Sequence, residues 1–247
     1  MKVIILAGGL GTRISEETET KPKPMVLLDN NPILWHLMSI YSKQGFDDFV
    51  IAAGYKSEVI QDWVANSNFD WNVNVLETGL HTQTGGRLKQ CIEAFPDDEF
   101  LATYGDGLGN VDLAKQIAFH RNHGRLFTVT AVHPPARFGV LEIEAGSVKH
   151  FGEKSQTGLG WINGGFFVLN REVANYIEGD AEPLETGALP RLVSEQQLMA
   201  FEHDGFWQPM DTLREKQDLS LLATKSPPPW LNIGITNQEM KTCENSG

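Results

Sequence analysis

The chain has 247 residues, of which 41% are hydrophobic and 21% charged, and this balance is typical of a folded protein with a substantial core. Its formal net charge of -12, from 32 acidic and 20 basic residues, argues against nucleic acid or an anionic membrane surface as the main partner. The apolar runs are too short to span a bilayer, no signal-peptide pattern opens the chain, and two cysteines are too few for a disulfide scaffold, so we expect a reduced, cytoplasmic protein.

Strands and helices alternate through the first half of the chain. Residues 3–7 form an apolar, β-branched run that ends in two glycines, as expected of a strand buried on both faces. Further strands are predicted at 48–53, 71–76 and 99–104, and helices at 31–41, 57–64, 86–95 and 110–120. Asn31, Ser57 and Asn110 are the predicted N-caps of three of these helices. The alternation predicts a parallel sheet covered by helices, with ligands bound at the carboxyl ends of its strands.

The second half of the chain has shorter connections between its elements. Strands are predicted at 126–132, 139–143, 148–151, 161–169 and 198–202, the first three antiparallel, and helices at 172–177, 184–195 and 212–223. Three prolines at 227–229 end the compact part. We therefore predict one domain over residues 1–230, a three-layer α/β/α fold with a mixed, mostly parallel central sheet, followed by a polar tail over 231–247.

The strongest local signal is the glycine-rich turn that follows the first strand. Residues 6–13 read Leu-Ala-Gly-Gly-Leu-Gly-Thr-Arg, and the three glycines would let backbone N–H groups approach a phosphate without obstruction by Cβ atoms. Thr12 adds a hydroxyl and Arg13 a cationic fork. The turn is not a Walker loop, because Thr12 and Arg13 follow Gly11, nor a Rossmann fingerprint, because Ile14 stands where a third small residue is needed. A connecting turn without a ligand is the alternative.

A second motif follows about ten residues later. Residues 21–25 read Lys-Pro-Lys-Pro-Met, and the alternating prolines hold the chain extended and remove competing N–H donors. Such a segment would present a lysine rigidly toward an anion. A solvated surface lysine is the alternative.

With these two motifs in this order, the chain resembles the sugar-1-phosphate nucleotidyltransferase family. Further segments look like those of the glucose-1-phosphate cytidylyltransferases, and with the two motifs they cover residues 1 to about 223: they are 32–36, 84–88, 104–107, 161–167 and 205–213. The resemblance implies a Rossmann-like nucleotide-diphospho-sugar transferase fold, with residues 1–125 as the nucleotide-binding half and 126–230 as the sugar-phosphate-binding half. The connection from Val64 to Trp71 is shorter here than in those enzymes, which affects any oligomer contact or lid built by the longer segment.

The reaction that the resemblance implies joins CTP to a hexose 1-phosphate, glucose 1-phosphate first of all, and releases pyrophosphate. The acceptor's phosphate oxygen is already anionic, so in-line attack on the α-phosphorus needs positioning and charge stabilisation rather than a catalytic base. Mg²⁺ is the implied cofactor and a homo-oligomer the implied assembly, in deoxysugar or surface-polysaccharide synthesis. The alternatives are the same chemistry with UTP, dTTP or another phosphorylated acceptor, and a catalytically silent nucleotide-sugar-binding subunit. A metal-dependent glycosyltransferase would need an Asp-x-Asp motif, whereas residues 104–107 hold one aspartate.

The resemblance also assigns roles to individual residues. The catalytic group is Arg13, Lys23, Asp106 and Asp211, of which the two aspartates would bind Mg²⁺. Contacts to the nucleotide are implied for Leu6, Ala7, Gly8, Gly9, Gly11, Thr12, Arg13, Lys23, Thr82, Gly86, Arg87 and Gly105. Contacts to the sugar phosphate are implied for Gly139, Glu153, Lys154, Asn163 and Gly164.

Each of the main candidates also has a purely structural interpretation. Asp106 could be a turn aspartate, Asp211 the N-cap of the last helix and Arg87 a helix-surface arginine. Glu153 and Lys154 could form an exposed ion pair, and at least one of Trp161 and Trp207 is expected to pack in the core. The seven histidines lack zinc-like clustering and are expected to be structural or exposed, and Cys91 is expected to pack rather than react.

Overall fold

A computed structural model describes residues 1–134, 140–144, 147–152, 160–237 and 239, with the backbone alone for Arg13 and for residues 140–144 and 150–152. The strands are β1 (Val3–Leu6), β2 (Leu27–Leu28), β3 (Asn31–Pro32), β4 (Asp48–Ala53), β5 (Asn72–Glu77), β6 (Glu99–Tyr104), β7 (Gly107–Gly109), β8 (Phe127–Val132), β9 (Val140–Glu144), β10 (Ser147–Gly152), β11 (Ile162–Asn163), β12 (Phe167–Asn170), β13 (Leu198–His203) and β14 (Trp207–Pro209). The helices are α1 (Ser15–Thr18), α2 (Ile33–Ser42), α3 (Ser57–Asn66), α4 (Thr84–Ala94), α5 (Leu113–His123), α6 (Ala188–Ser194) and α7 (Leu213–Ala223), with short 3-10 helices at Thr12–Ile14, Lys23–Met25, Arg171–Tyr176 and Pro229–Leu231. Within the described ranges, no helix is long and apolar enough to cross a membrane.

The centre of the molecule is a mixed, mostly parallel sheet. Strands β6, β1, β4 and β5 lie side by side and parallel. On the other side of β6, β12 and then β8 continue the sheet antiparallel, and β13 pairs parallel with β8. The chain builds outward from β1 through β4 to β5 and then returns to the opposite side of β1 with β6. In such sheets a ligand crevice forms at this reversal, at the carboxyl ends of the strands.

Two hydrophobic cores lie on the two faces of this sheet. In β1, Val3 and Ile5 face a core shared with α2, α3, α5 and α7, while Ile4 and Leu6 face a core shared with α4 and α6. All four side chains are buried, as the continuous apolar run predicted, and each such burial stabilises the fold by about 1.5–3 kcal/mol. The predicted three-layer α/β/α class is confirmed.

The predicted N-caps of α2 and α3 are wrong. Asn31 pairs with Leu28 in the small β2–β3 ladder, so that α2 begins after Pro32 in extended conformation. Ser57 is the first residue of α3, and the cap position is taken by Lys56 with φ of 50°. In both cases a neighbouring backbone conformation, rather than a capping side chain, starts the helix.

The predicted N-cap of α5 is also wrong, because Asn110 is used elsewhere. Asp112 caps this helix and accepts a hydrogen bond from the Lys115 N–H at 3.0 Å. Asn110 is fully buried, and its amide donates to the carbonyls of Asn232 and Ile235 at 2.7 and 2.8 Å. These bonds fasten the chain beyond Trp230 to the body of the molecule.

The predicted strand at 161–169 is interrupted. Its two parts, β11 and β12, both pair antiparallel with β8, but the register shifts by two residues between them. Gly165 and Phe166, with φ of 75° and 46°, form the bulge that causes the shift. The antiparallel pairing predicted for the strands at 139–143 and 148–151 is confirmed in β9 and β10. The strand at 126–132, predicted to join them, instead lies in the central sheet as β8, where it pairs with β11, β12 and β13.

Candidate active site

A cleft of about 1030 Å³ opens at the carboxyl ends of β1 and β6, where the sheet reverses its order. Thirteen of the sequence-predicted site residues line it: Leu6, Ala7, Gly8, Gly9, Gly11, Thr12, Lys23, Thr82, Arg87, Gly105, Asp106, Asn163 and Asp211. Residues from several separate segments of the chain therefore meet in one concave site, which is the arrangement expected of a small-molecule site.

Two predicted residues lie behind the cleft rather than on its wall. A Cβ on Gly86 would lie 2.5 Å from the Cα of Asp180, so this glycine lets α4 pack against that segment. Gly164 donates its N–H to the Thr130 carbonyl at 2.9 Å and accepts from the Trp207 indole at 2.8 Å. Both glycines shape the site from outside it.

Four predicted residues lie wholly or partly outside the described part of the chain. Gly139, Glu153 and Lys154 lie outside the described residues, and so does the side chain of Arg13. The backbone of Arg13 belongs to the 3-10 helix that follows the glycine turn.

Lys23 is held between two carboxylates at the base of the cleft. Its Nζ donates to Asp106 Oδ2 at 2.7 Å and to Asp211 Oδ1 at 2.8 Å, and its side chain is only 9% exposed. The lysine lies between Pro22 and Pro24 in a 3-10 helix closed by the bond from the Met25 N–H to the Pro22 carbonyl. The structure excludes the surface-lysine alternative.

A short ladder brings the two aspartates together. Strand β7 begins directly after Asp106, β14 ends two residues before Asp211, and the two strands pair antiparallel with Pro209 opposite Gly107. The Met210 N–H extends this ladder by donating to the Asp106 carbonyl at 2.8 Å. The register of β7 and β14 therefore sets the separation of the two carboxylates.

The last helix fixes the position of Asp211. Its N-cap is Thr212, not Asp211, and Thr212 and Glu215 form a reciprocal capping box. The Asp211 N–H also donates to Glu215 Oε2 at 2.8 Å. Asp106 lies in the turn between β6 and β7, as its structural alternative supposed. Its carboxylate also accepts a hydrogen bond from Lys23, which a turn aspartate alone would not require. The two carboxylates offer hard oxygen donors at one place and are the described groups best suited to hold a divalent cation.

Arg87 braces the glycine turn from beneath. Its guanidinium is 3% exposed and donates to the carbonyls of Gly8 and Ala53, both at 3.0 Å, and to the Thr78 hydroxyl at 2.5 Å. Desolvation lowers the pKa of Arg87 from its usual very high value. A Cβ on Gly8 would lie 2.1 Å from Nη1, so a larger residue there would displace the guanidinium. The helix-surface alternative for Arg87 is wrong.

Besides the contacts of Lys23 with Asp106 and Asp211, the cleft wall holds a polar cluster around Glu185, which the sequence did not indicate. Glu185 accepts from the hydroxyls of Tyr104 at 2.6 Å and Thr84 at 2.8 Å, and Tyr104 accepts from Asn163 Nδ2 at 3.1 Å. Desolvation, with Glu185 nearby, raises the pKa of the Tyr104 phenol above its ordinary value, so the hydroxyl stays a donor. Tyr104 and Thr84 lie in segments that carried the family resemblance, whereas no sequence signal marked Glu185.

The structure also tests the predictions made for the histidines, Cys91 and the two tryptophans. His120 is buried and bonds Thr128 and Asn170, and burial raises the pKa of Cys91 to about 12, so both residues support packing as expected. Trp161 is 42% exposed and stacks on His133, while Trp207 packs partly against the core and also lines the cleft. In the described part of the chain, no cluster of three or more His, Cys, Asp or Glu side chains could hold a metal.

Comparison with known proteins adds independent findings. The profile of the family described as "Nucleotidyl transferase" matches residues 2–234. Glucose-1-phosphate cytidylyltransferase of Salmonella typhi is 48% identical over 253 aligned positions, covering 93% of this chain and 98% of the relative. A probable glucose-1-phosphate cytidylyltransferase of Bacillus subtilis is 37% identical, covering 93% and 99%. The solved structure of HddC from Yersinia pseudotuberculosis, complexed with GMP-PN, superposes with a TM-score of 0.72 at 24% identity, covering 89% of this chain and 98% of that one.

Proposed function

Because the chain belongs to the nucleotidyl transferase family, we propose that it transfers the cytidylyl group of CTP to α-D-glucose 1-phosphate, forming CDP-glucose and releasing pyrophosphate. The observation that carries the chemistry is the meeting of Lys23 with Asp106 and Asp211 beside the glycine turn. The choice of CTP and glucose 1-phosphate follows the names of relatives that align with nearly the whole chain.

The triphosphate occupies the glycine-turn side of the cleft in this proposal. Backbone groups of residues 6–12 contact the base and phosphates, and Arg87 holds the turn in place through the Gly8 carbonyl. A turn that is already braced loses less conformational entropy on binding. Arg13 and Lys23 neutralise the triphosphate and the charge that develops at the α-phosphorus. Thr82 lines the same side of the cleft, where its role is to contact the nucleotide.

The donor set fits the implied magnesium ion. Asp106 and Asp211 would hold it, since Mg²⁺ takes one or two carboxylates together with substrate phosphates rather than a complete protein cage. Bound there, Mg²⁺ supplies positive charge to phosphate oxygens in the reaction. Lys23 then donates to the triphosphate instead of to both carboxylates.

The acceptor enters from the side of Asn163. Its phosphate oxygen attacks the α-phosphorus in line, and the protein's task is to orient it, because no proton need be removed from the nucleophile. Asn163 contacts the sugar in this proposal, and Gly139, Glu153 and Lys154 are proposed to complete the acceptor side. The enzyme is further proposed to be a cytoplasmic homo-oligomer.

The test is pyrophosphate release with Mg²⁺, in which CTP, UTP, dTTP, ATP and GTP are each combined with a panel of sugar 1-phosphates. We expect release with CTP and glucose 1-phosphate and its loss in Asp106→Asn, whose melting temperature should stay within a few degrees of the wild type. Release with another pair would keep the mechanism and correct the substrate. Turnover by Asp106→Asn equal to the wild type would contradict the role of this carboxylate.

The alternative of a catalytically silent binding subunit is disfavoured by one observation. Lys23, Asp106 and Asp211 are all present and all converge in the cleft, whereas a subunit that only bound nucleotide would not need them to meet. Nucleotide binding without pyrophosphate release across the whole panel would favour that alternative.

A further inference from the structure

Glu185 is the end point of two hydrogen-bond chains in the cleft wall. One chain runs from the Gly165 N–H to Asn163 Oδ1 at 2.9 Å, then from Asn163 Nδ2 to the Tyr104 hydroxyl at 3.1 Å, and from that hydroxyl to Glu185 Oε1 at 2.6 Å. The other runs from the Leu184 N–H to the Thr84 hydroxyl, and from there to Glu185 Oε2, both at 2.8 Å. The carboxylate thus joins the start of α4 to β6 and β11.

The direction of the first chain is fully determined. A backbone N–H can only donate, so the oxygen of the Asn163 amide must face Gly165. An ionised carboxylate can only accept, so the Tyr104 hydroxyl must give its proton to Glu185 and take one from Asn163. The Asn163 amide and the Tyr104 hydroxyl, which lie between these two ends, can therefore each be oriented in only one way.

This direction decides what Asn163 offers to a ligand. Asn163 Nδ2 donates one of its protons to the Tyr104 hydroxyl, and the second proton has no acceptor among the residues that the structure describes. Asn163 itself lines the cleft. With both ends of its amide held, the side chain presents an N–H and cannot turn its oxygen outward without breaking two hydrogen bonds.

We propose that Glu185 is a positioning residue for the acceptor: it orients Asn163 through Tyr104 so that an amide N–H meets a hydroxyl oxygen of the hexose. The inference rests on the proposed function, in which Asn163 lies on the acceptor side. Glutamine at position 185 would loosen one of the two ends, because an amide can donate to the tyrosine oxygen and leave the Asn163 side chain held by the Gly165 N–H alone.

The kinetic test is Glu185→Gln. We expect the KM for glucose 1-phosphate to rise about tenfold, the effect of losing one well-aligned hydrogen bond, while the KM for CTP changes by less than about twofold. The matched control is Glu195→Gln, since Glu195 accepts from the Tyr176 hydroxyl at the same 2.6 Å and neither residue lines the cleft. The control should leave both KM values unchanged. Equal changes in both KM values of Glu185→Gln would indicate a merely structural role and overturn the proposal.

A double-mutant cycle tests whether Glu185 acts through Asn163. If it does, adding Glu185→Gln to Asn163→Ala should leave the KM for glucose 1-phosphate at the value of Asn163→Ala alone. Effects that multiply would show that the two residues act separately, and would overturn the proposal.

A measurement without turnover separates this inference from the proposed function. The side-chain amide signals of Asn163, assigned by their loss in Asn163→Ala, should shift and exchange faster with solvent in Glu185→Gln but not in Glu195→Gln. Unchanged signals in Glu185→Gln would overturn the inference whatever the activity. Silence of the wild type with every nucleotide and sugar phosphate would instead overturn the proposed function, and the amide signals would then decide the positioning role alone.

Discussion

Lys23 and a metal ion would compete for the same two carboxylates, those of Asp106 and Asp211. The Lys23 ammonium donates to both Asp106 and Asp211, within 2.8 Å of each carboxylate. A divalent cation bound to the same oxygens must displace it, and a triphosphate gives the ammonium other oxygens to bind. We therefore expect the metal and the nucleotide to bind more tightly together than separately.

Lys23→Gln tests this competition. The variant should lose most turnover and yet bind Mn²⁺ about tenfold more tightly than the wild type in the absence of nucleotide, because no ammonium must be displaced. Free Mn²⁺ can be followed by electron paramagnetic resonance. Lys216→Gln is the control, since Lys216 pairs with Glu17 at 3.1 Å outside the cleft. Equal Mn²⁺ affinity of Lys23→Gln and the wild type would contradict the competition.

Gly8→Ala tests the brace beneath the glycine turn. The added Cβ would lie 2.1 Å from Arg87 Nη1 and force the buried guanidinium from its hydrogen-bond acceptors, at a cost of about 2–3 kcal/mol in the free energy of unfolding. Gly9→Ala is the matched control, because nothing lies within 4 Å of the place that its methyl group would take, and we expect a change below about 1 kcal/mol. Urea unfolding measures both. Similar losses in the two variants would show that the brace is not what requires glycine.

Local motifs predicted some site residues and long-range contacts decided the others. Lys23 lies in a proline-bounded segment whose residue types suggest an anion site, whereas the role of Asp106 followed only from the family resemblance. Glu185 gave no such signal, because its two hydroxyl partners come from α4 and β6, which are distant in the chain. The N-cap alternative for Asp211 could have been rejected from sequence, since Thr212 followed by Glu215 is a capping-box pattern.

At the scale of elements, the site depends on where short segments begin and end. The strand at 99–104 was predicted with the bounds that β6 has, because a buried apolar run bounded by turn residues is unambiguous. The N-cap predictions failed where another contact claimed the side chain, as the carbonyls of residues 232 and 235 claim Asn110. Local propensity cannot anticipate a partner more than one hundred residues away.

Thr212→Ala tests the element that positions Asp211. Loss of the capping box should lower the melting temperature by about 2–4 °C, corresponding to about 1 kcal/mol, and should lower kcat as well because Asp211 directly precedes the cap. The control is Thr224→Ala at the other end of α7, where the hydroxyl donates to the Leu221 carbonyl at 2.8 Å. It should change stability by less than about 0.5 kcal/mol and leave kcat unaltered. A loss of stability in Thr212→Ala with normal kcat would separate the helix cap from the position of Asp211.

At the scale of the whole molecule, two buried histidines link stability to pH. Desolvation lowers the pKa of His36, beside the Leu28 carbonyl, and that of His203, beside the Phe206 carbonyl, below the ordinary value. The unfolded chain then binds more protons than the folded one as pH falls through the ordinary histidine range. Their contribution to stability is therefore complete above about pH 6.5 and is lost progressively at lower pH.

The pH dependence of unfolding checks this linkage. The free energy of unfolding of the wild type should fall between pH 7.5 and 5.5, and it should fall less in the double variant His36→Gln/His203→Gln. His81→Gln, at an exposed position, should follow the wild-type curve. Parallel curves for the double variant and the wild type would mean that other groups carry the pH dependence.

The pairing of β7 with β14 also has a consequence for synthesis of the chain. Translation delivers β1, β4, β5 and β6 first, and the sheet centre with its glycine turn can form from them. Asp211 is made 188 residues after Lys23, two residues beyond the end of β14. A nascent chain, or one that terminates before Asp211, thus has the glycine turn but only one of the two carboxylates that the proposed reaction requires.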